Sequence, residues 1–240
     1  MATHTDSGNG AFGRKFSIGR ENGQLQKDGR PYFFEWVKEM PTEKGNRKFE
    51  TRTGANGAKH YELFTAIDGY LLDVRSEQKN LGKGEETWLI LQMIDAADEY
   101  TVEVGRLDSQ YSTDLLRRLL NPYFNPNQKL RLSPYAITDG DRQNIGVTAY
   151  SGADSLKYKM DSDFLTGCPK AESREWKGKT EWDFSGVAQW LLDQVRAKVV
   201  PKLMKDPISA PQPTAPATNG NAKQVDVPEN ANFPTEELPF

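Results

Sequence analysis

Hydrophobic positions in residues 14–160 recur mostly at every second residue. This period is typical of β-strands, whose successive side chains point to opposite faces of a sheet. Short polar or glycine-containing stretches separate the periodic segments and favour turns, as at Lys27-Asp28-Gly29-Arg30, Gly54-Ala55-Asn56-Gly57 and Ile67-Asp68-Gly69. The pattern therefore predicts a mainly β body. The main predicted strands cover 31–38, 47–53, 59–67, 70–76, 87–94, 100–107, 128–137, 144–150 and 156–160.

Two segments have helical spacing instead. The first covers 112–121, with Ser112 as the expected N-cap, a stripe of leucines on one side, and Asn121-Pro122 as the stop. The second covers 184–200, with Asp183 as the expected cap and Pro201 at its end. Its predicted apolar face consists of Phe184, Val187, Ala188, Leu191, Val195 and Val199.

The two ends of the chain differ in composition from its middle. Residues 1–13 are rich in Gly, Thr, Ser and Asn and predict a flexible arm. Residues 205–240 contain 7 of the 14 prolines, mixed with polar residues, and predict a disordered tail because they offer too little apolar surface to offset chain entropy. Between them we expect a β domain at 14–160 and a helical elaboration packed on it at 161–204.

Composition narrows the classes of protein. The single cysteine, Cys168, excludes an intrachain disulfide, and two histidines do not supply the usual zinc frameworks. No apolar run is long enough for a transmembrane helix, and the N-terminal residues do not resemble a signal peptide, so we expect a protein of the bacterial or infected host cytoplasm. We expect no cofactor and no metal.

Charge is distributed unevenly along the chain. The formal net charge of -3 equals that of residues 205–240, so residues 1–204 are neutral as a whole. Within them, residues 14–59 carry 11 basic and 6 acidic residues, a net charge of +5. A basic segment near the start and an acidic one at the end can serve different partners, although an unevenly charged solvated surface has the same composition.

The last residues form the most specific motif of the sequence. Phe240 combines an aromatic ring with the terminal carboxylate, and two glutamates precede it. Such a peptide suits a partner pocket that buries the ring, worth about 2–3 kcal/mol, and pairs the acids with basic groups. We expect weak, reversible docking of partner proteins. The predicted docking tip is Glu236, Glu237, Leu238, Pro239 and Phe240.

This ending resembles that of the bacterial single-stranded-DNA-binding proteins, which finish in acidic residues followed by Ile/Leu-Pro-Phe. The resemblance implies an OB-fold, a five-stranded barrel with a helix between its third and fourth strands, that binds bases by stacking. It also implies that the tip recruits replication and repair proteins. The helix predicted at 112–121 among strands agrees with this fold, and the size and the 184–200 helix resemble diverged bacteriophage members.

Single-strand binding requires aromatic rings for the bases beside cations for the phosphates. Tyr32, Phe34 and Trp36 alternate and predict such a platform, although a buried core face would have the same pattern. Trp88 and Tyr100 lie among aliphatic residues and are expected in the core. The other candidates for nucleic-acid contact are Lys38, Arg47, Lys48, Arg52 and Lys59, followed by Tyr61, Arg131 and Tyr135.

Motifs for catalysis are weak. Asp163 with Glu175-Trp176-Lys177 fits a loose metal-nuclease pattern, but the stretch is polar and lacks an apolar strand to hold it. Asp139-Gly140-Asp141 is too short for a calcium loop and is typical of a hairpin turn. We therefore expect no enzyme but a protein that coats single-stranded DNA during replication, recombination or repair, without sequence preference. A homo-oligomer is compatible with this role. The alternative is an interaction adaptor that uses the tip and binds no nucleic acid.

Overall fold

The computed structural model describes residues 13–20, 29–54, 57–80, 84–96, 98–139, 142–176 and 179–203. The chain divides into two units, Met1–Ile208 and Ser209–Phe240, and every described residue lies in the first. The predicted arm, apart from Gly13, and the predicted tail with its docking tip lie outside the described residues.

The prediction of a mainly β protein is confirmed. Most of the described residues lie in strands, and the two α-helices are α1 (Gln110–Leu119) and α2 (Ser185–Lys198). The strands are β1 (Arg14–Arg20), β2 (Pro31–Val37), β3 (Lys48–Gly54), β4 (Gly57–Phe64), β5 (Ile67–Asn80), β6 (Glu85–Asp95), β7 (Asp98–Arg106), β8 (Leu130–Asp139), β9 (Arg142–Ser151), β10 (Asp154–Ser155), β11 (Glu172–Trp176) and β12 (Lys179–Asp183).

Ten of these strands form one sheet in the order β10-β9-β8-β5-β6-β7-β1-β2-β4-β3. Neighbours pair antiparallel, except that β1 lies parallel to β7. Among the described strands the order has two ends, β10 and β3, so this pairing does not close a barrel. The remaining hairpin, β11–β12, forms a separate two-stranded sheet.

The main core lies where the β5–β6–β7 meander, the β8–β9 hairpin and the two helices meet. Leu89, Leu91 and Met93 of β6 are fully buried there, as are Leu115 and Leu116 of α1. On α2, the predicted face is buried at Val187, Ala188, Leu191, Val195 and Val199, whereas Phe184 precedes the helix and stays exposed. Burial of this apolar surface is the main stabilising contribution to the fold.

The sheet formed by β1, β2, β4 and β3 joins this core through one of its faces. Phe16 of β1 and Phe33 of β2 point inward and are buried. The Phe16 ring packs edge to face against Phe64 and Tyr100, with 5.3 Å between ring centroids in both pairs. This edge-to-face geometry is favourable because ring edges and ring faces have opposite partial charge. The same four strands leave their other face outside the main core.

Helix α1 starts earlier than predicted. Ser109, not Ser112, is the N-cap, and its hydroxyl accepts a hydrogen bond from the Ser112 backbone N–H. Asp183 lies one residue before the N-cap position of α2, yet its carboxylate accepts from the Ser185 N–H at 2.8 Å.

Neither helix in the described part of the chain has the length and apolar character needed to cross a membrane.

One turn prediction and one strand prediction are wrong. Ile67-Asp68-Gly69 is not a turn but the start of β5, where it pairs with β8. Gly69 is required there by close packing, because an added Cβ would overlap with the Tyr100 hydroxyl that donates to the Asp68 carbonyl at 2.6 Å.

Residues 156–160 are not a strand. Leu156 is buried in the core, and Arg118 donates to its carbonyl, so this segment crosses α1.

The segment 161–204 is not purely helical. Before α2 it contains the β11–β12 hairpin, in which Glu172 pairs with Asp183 and Trp176 with Lys179. This hairpin was missed because its residues are polar and give no apolar alternation. Cross-strand pairs stabilise such a ribbon only modestly, and a two-stranded hairpin without apolar burial is marginally stable.

Candidate nucleic-acid interface

One face of the β1–β2–β4–β3 sheet gathers most of the predicted DNA-contacting residues. Alternation along β2 places Tyr32, Phe34 and Trp36 on this face. The register places Leu63 opposite Phe34, and Tyr61 opposite Trp36. Adding β3, we define the aromatic–cation face as Tyr32, Phe34, Trp36, Lys48, Glu50, Arg52, Lys59, Tyr61 and Leu63.

The aromatic rings of this face differ in exposure. Tyr32 and Phe34 are only 6% and 3% exposed, and with Leu63 they form a small apolar cluster separate from the main core. Tyr61 packs against this cluster, with its ring centroid 6.1 Å from that of Phe34. Trp36, in contrast, is 58% exposed. Only Trp36 of the predicted trio therefore offers most of its side chain to a ligand.

Cations cover the buried rings. The guanidinium carbon of Arg52 lies 4.3 Å from the Phe34 ring centroid and 5.4 Å from that of Tyr61. The Lys48 ammonium lies 4.8 Å from the Tyr32 ring centroid and donates to the Tyr32 hydroxyl at 3.1 Å. Such cation–π contacts are attractive because the ring face carries partial negative charge. The outer layer of this face is thus cationic, above a layer of aromatic rings.

The opposite face of the same sheet carries the acids. Glu35 of β2 accepts from the Arg14 Nε at 2.7 Å, and Glu62 of β4 accepts from the Arg47 Nε at 2.6 Å. These hydrogen bonds, with the carboxylate charge, raise the pKa of both guanidinium groups above their ordinary value. The acids of this opposite face are thus paired with arginines, and the aromatic–cation face as defined contains one acid, Glu50, which accepts from Arg52.

Arg47 lies on the acid-bearing face rather than on the aromatic–cation face. Its guanidinium pairs with Glu62 and lies 5.0 Å from the Phe49 ring centroid. It still carries an exposed side chain, but its charge is already matched by a carboxylate. Lys38 follows the end of β2 and is exposed, and Lys59 is exposed on β4 opposite Arg52.

Arg131 and Tyr135 lie on β8, which is not hydrogen-bonded to β1, β2, β4 or β3. Arg131 is exposed and is 4.0 Å from Asp68. Tyr135 is half-buried, and burial, followed by the nearby Asp114 carboxylate, raises the pKa of its hydroxyl. The strand pairing therefore does not place these two residues opposite the other candidates, although β8 contacts β2.

The sequence did not single out two further cation–aromatic contacts. Arg30 precedes β2, and its guanidinium carbon lies 5.7 Å from the Tyr32 ring centroid. Trp88, expected in the core, is half-buried on β6 with the Lys79 ammonium 4.5 Å from its ring centroid. Alternation along β5 and β6 is the pattern that could have indicated the Lys79–Trp88 contact, but the aliphatic neighbours of Trp88 favoured a core position instead. Tyr100, expected in the core as well, is buried there.

The weak nuclease pattern is not assembled by the described residues. Asp163 lies in a short 3-10 turn, and Glu175 lies on β11, where it accepts from the Thr180 hydroxyl at 2.7 Å. Lys177 lies outside the described residues. In the part of the chain that the structure covers, no three His, Cys, Asp or Glu side chains converge in a metal-binding group.

Comparison of this chain with protein-family models, with curated proteins and with solved structures finds no match. Function is therefore inferred from the residues and their geometry.

Proposed function

We propose that this protein binds single-stranded DNA without sequence preference and protects it during replication, recombination or repair. The observation that carries the proposal is the aromatic–cation face, where exposed Trp36 lies beside Lys48, Arg52 and Lys59. Stacking on a ring is possible for every base, and lysine and arginine contact every phosphate, so this combination binds strands irrespective of sequence. Such a role needs no catalytic group and no cofactor.

We also propose an OB-type core made of the β5–β6–β7 meander, α1 and the β8–β9 hairpin. Two observations support it: the helix falls between the third and fourth of these strands, and the first of them, β5, pairs antiparallel with the fourth, β8. In this proposal the β1–β2–β4–β3 sheet is an addition that extends the core along β7. The aromatic–cation face lies on that addition.

The proposed function is tested by titrating the protein with oligo(dT) and following tryptophan fluorescence at several salt concentrations. We expect quenching, much weaker binding of duplex DNA of equal length, and a fall of log K with log salt of about 0.7 per phosphate contacted. The duplex should bind weakly because its bases are already stacked on one another. Equal affinity for duplex and single strand, or no binding at all, would refute single-strand coating.

Two single variants test which basic residues contact phosphates in this titration. Lys59→Ala should lower the salt slope by about 0.7, whereas Arg131→Ala on β8 should leave it unchanged. The two side chains are both exposed, so they are matched in accessibility. The reverse result would place the phosphate path along β8 instead of the aromatic–cation face.

We further propose that the C-terminal tip recruits replication and repair proteins. Phe240→Ala should abolish capture of such proteins while leaving oligo(dT) affinity within twofold, because it removes the ring that a partner pocket would bury. Adding one residue after Phe240 keeps every side chain but moves the carboxylate, and it should weaken capture as well. If capture is indifferent to both changes, the tip is not a docking peptide.

The burial of Tyr32 and Phe34 favours a second candidate, an interaction adaptor that binds no nucleic acid. In that case the buried rings only stabilise the sheet, and Trp36 contacts a protein. The oligo(dT) titration separates the two candidates, because an adaptor would show neither quenching nor a salt-dependent affinity.

A further inference from the structure

Arg52 crosses the aromatic–cation face and is held at two points. Its Nη2 donates to the backbone carbonyl of Arg20 on β1 at 2.8 Å, and its Nε donates to the Glu50 carboxylate at 2.8 Å. It starts from β3, the edge strand, and β4 and β2 lie between β3 and β1 in the strand order. Three strand spacings are about 14 Å in a flat sheet, farther than an arginine side chain extends, so the sheet must curl to bring Arg52 to Arg20, and the two hydrogen bonds then fix its position.

The space below Arg52 is kept open by Gly19 of β1. A Cβ at Gly19 would lie 3.0 and 3.2 Å from two carbons of the Phe34 ring and 3.8 Å from the Arg52 Nη2. A larger residue would have to displace the Phe34 ring, whereas 3.8 Å to Arg52 is an ordinary contact. The glycine therefore leaves room for the Phe34 ring beneath Arg52.

Arg52 consequently has one side against rings and another toward solvent. Its guanidinium lies above Phe34 and Tyr61, and its side chain is 36% exposed. A guanidinium is planar and stacks well on flat π-systems, and nucleobases are stacked on arginine planes in single-stranded complexes. Because the group is already ordered, little further entropy is lost when a base is placed on it.

Trp36 and this plane share a neighbouring ring. Trp36 is the cross-strand partner of Tyr61, and the Arg52 guanidinium carbon lies 5.4 Å from the Tyr61 ring centroid. We infer that the base-stacking platform consists of the outer plane of Arg52 together with the Trp36 indole, with Phe34 and Tyr61 as its support. The inference rests on the proposed function and deepens it, because it moves the contact from the buried rings to the layer above them.

The test compares Arg52→Lys with wild type on two probes, oligo(dT) and an abasic oligomer with the same number of phosphates. Lysine keeps the positive charge but has no plane on which a base can stack. We expect about a tenfold loss of affinity for oligo(dT), an unchanged salt slope, and an unchanged affinity for the abasic oligomer. Lys59→Ala is the matched control, since it should weaken both probes equally.

Three results would overturn the inference. Unchanged oligo(dT) affinity of Arg52→Lys would show that Arg52 supplies charge only, and equal losses on both probes would show a phosphate contact. A wild-type protein that binds neither probe would refute the proposed function itself. If Arg52→Lys is unfolded by thermal melting, Arg52→Met replaces it, because its apolar side chain still packs on Phe34. It should lose more affinity for oligo(dT) than for the abasic oligomer, and equal losses would count against the platform.

Discussion

Among the arginines that lie near aromatic rings, Arg52 and Arg118 have different surroundings. Arg118 of α1 lies 5.9 Å from the Tyr135 ring centroid and 5.5 Å from that of Tyr158, and it is 12% exposed. Arg52 has similar ring contacts but lies on a sheet surface and is three times as exposed. The residue types are the same, so they do not by themselves identify a binding site.

Each arginine pairs with a carboxylate, Arg52 with Glu50 and Arg118 with Asp114, but the two pairs differ in burial and in the cations beside them. Asp114 is 7% exposed and accepts hydrogen bonds from the Arg118 Nε at 3.1 Å, the Val147 N–H at 2.8 Å and the Tyr158 hydroxyl at 2.8 Å. The charge of Arg118 is therefore matched inside the protein. Around Arg52, in contrast, Lys48 and Lys59 leave a net positive face. Enclosure and matched charge indicate a structural cluster, whereas an open cationic surface indicates a ligand.

The largest expected effect is that of Asp114→Asn on stability. It removes the partner of a largely buried guanidinium, and we expect the free energy of unfolding to fall by about 3–5 kcal/mol. Urea denaturation measures this loss. The matched control is Asp108→Asn, which breaks the exposed Arg106–Asp108 pair and should cost less than about 1 kcal/mol. Equal losses for the two variants would show that the Asp114 cluster is no more structural than a surface pair.

The next effect concerns ligand affinity rather than stability. Trp36→Ala should cost about 1–3 kcal/mol of oligo(dT) binding while leaving the unfolding free energy nearly unchanged, because the side chain is mostly exposed. Fluorescence anisotropy of labelled oligo(dT) measures the affinity. Trp182→Ala removes another exposed tryptophan, on β12, and should leave the affinity unaltered. A folded Trp36→Ala protein with wild-type affinity would place the platform elsewhere on the molecule.

The smallest expected effect is that of Tyr158→Phe, which removes one hydrogen bond to Asp114. We expect a loss of about 1 kcal/mol at neutral pH. Tyr123→Phe, at an exposed position, is the control and should have no measurable effect.

Tyr158 also predicts a dependence on alkaline pH. Burial, with the Asp114 carboxylate, raises the pKa of its hydroxyl above the ordinary value of about 10. The neutral hydroxyl is therefore favoured in the folded state, so its stabilisation is fully present below about pH 10 and is lost as the pH rises further. Unfolding free energies measured from pH 8 to 11 should fall less steeply for Tyr158→Phe than for wild type. Parallel curves would show that Tyr158 does not contribute to alkaline unfolding.

Local periodicity predicted which residues share a face. The alternation of Tyr32, Phe34 and Trp36 and the leucine stripe of α1 follow from backbone geometry alone, and both are present in the structure. Periodicity does not predict which residues from other elements lie over that face. Phe34 lies under Arg52, which comes from another strand, and Tyr135 lies near Asp114, which comes from a helix.

Errors in the predictions arose where contacts between distant residues decide the structure. Arg47 stands in a basic run, but its partner Glu62 is supplied by the register of β4, which no local pattern reveals. The alternation at 156–160 indicated a strand, yet both Leu156 and Tyr158 point toward α1 and its surroundings. The sequence does not show that a loop crosses a helix at this point.

The parallel pairing of β1 with β7 has a consequence for synthesis of the chain. Arg14 pairs with Tyr100, 86 residues later, so β1 completes its pairing only after β7 has left the ribosome. Until then the inner face of the nascent β1–β2–β4–β3 sheet, with Phe16 and Phe33, lacks its cover from Tyr100 and the main core. Contacts of such long separation are formed late because the intervening loop must first be closed. We therefore expect any ribosome-stalled chain that ends before β7 to expose an aromatic surface to chaperones.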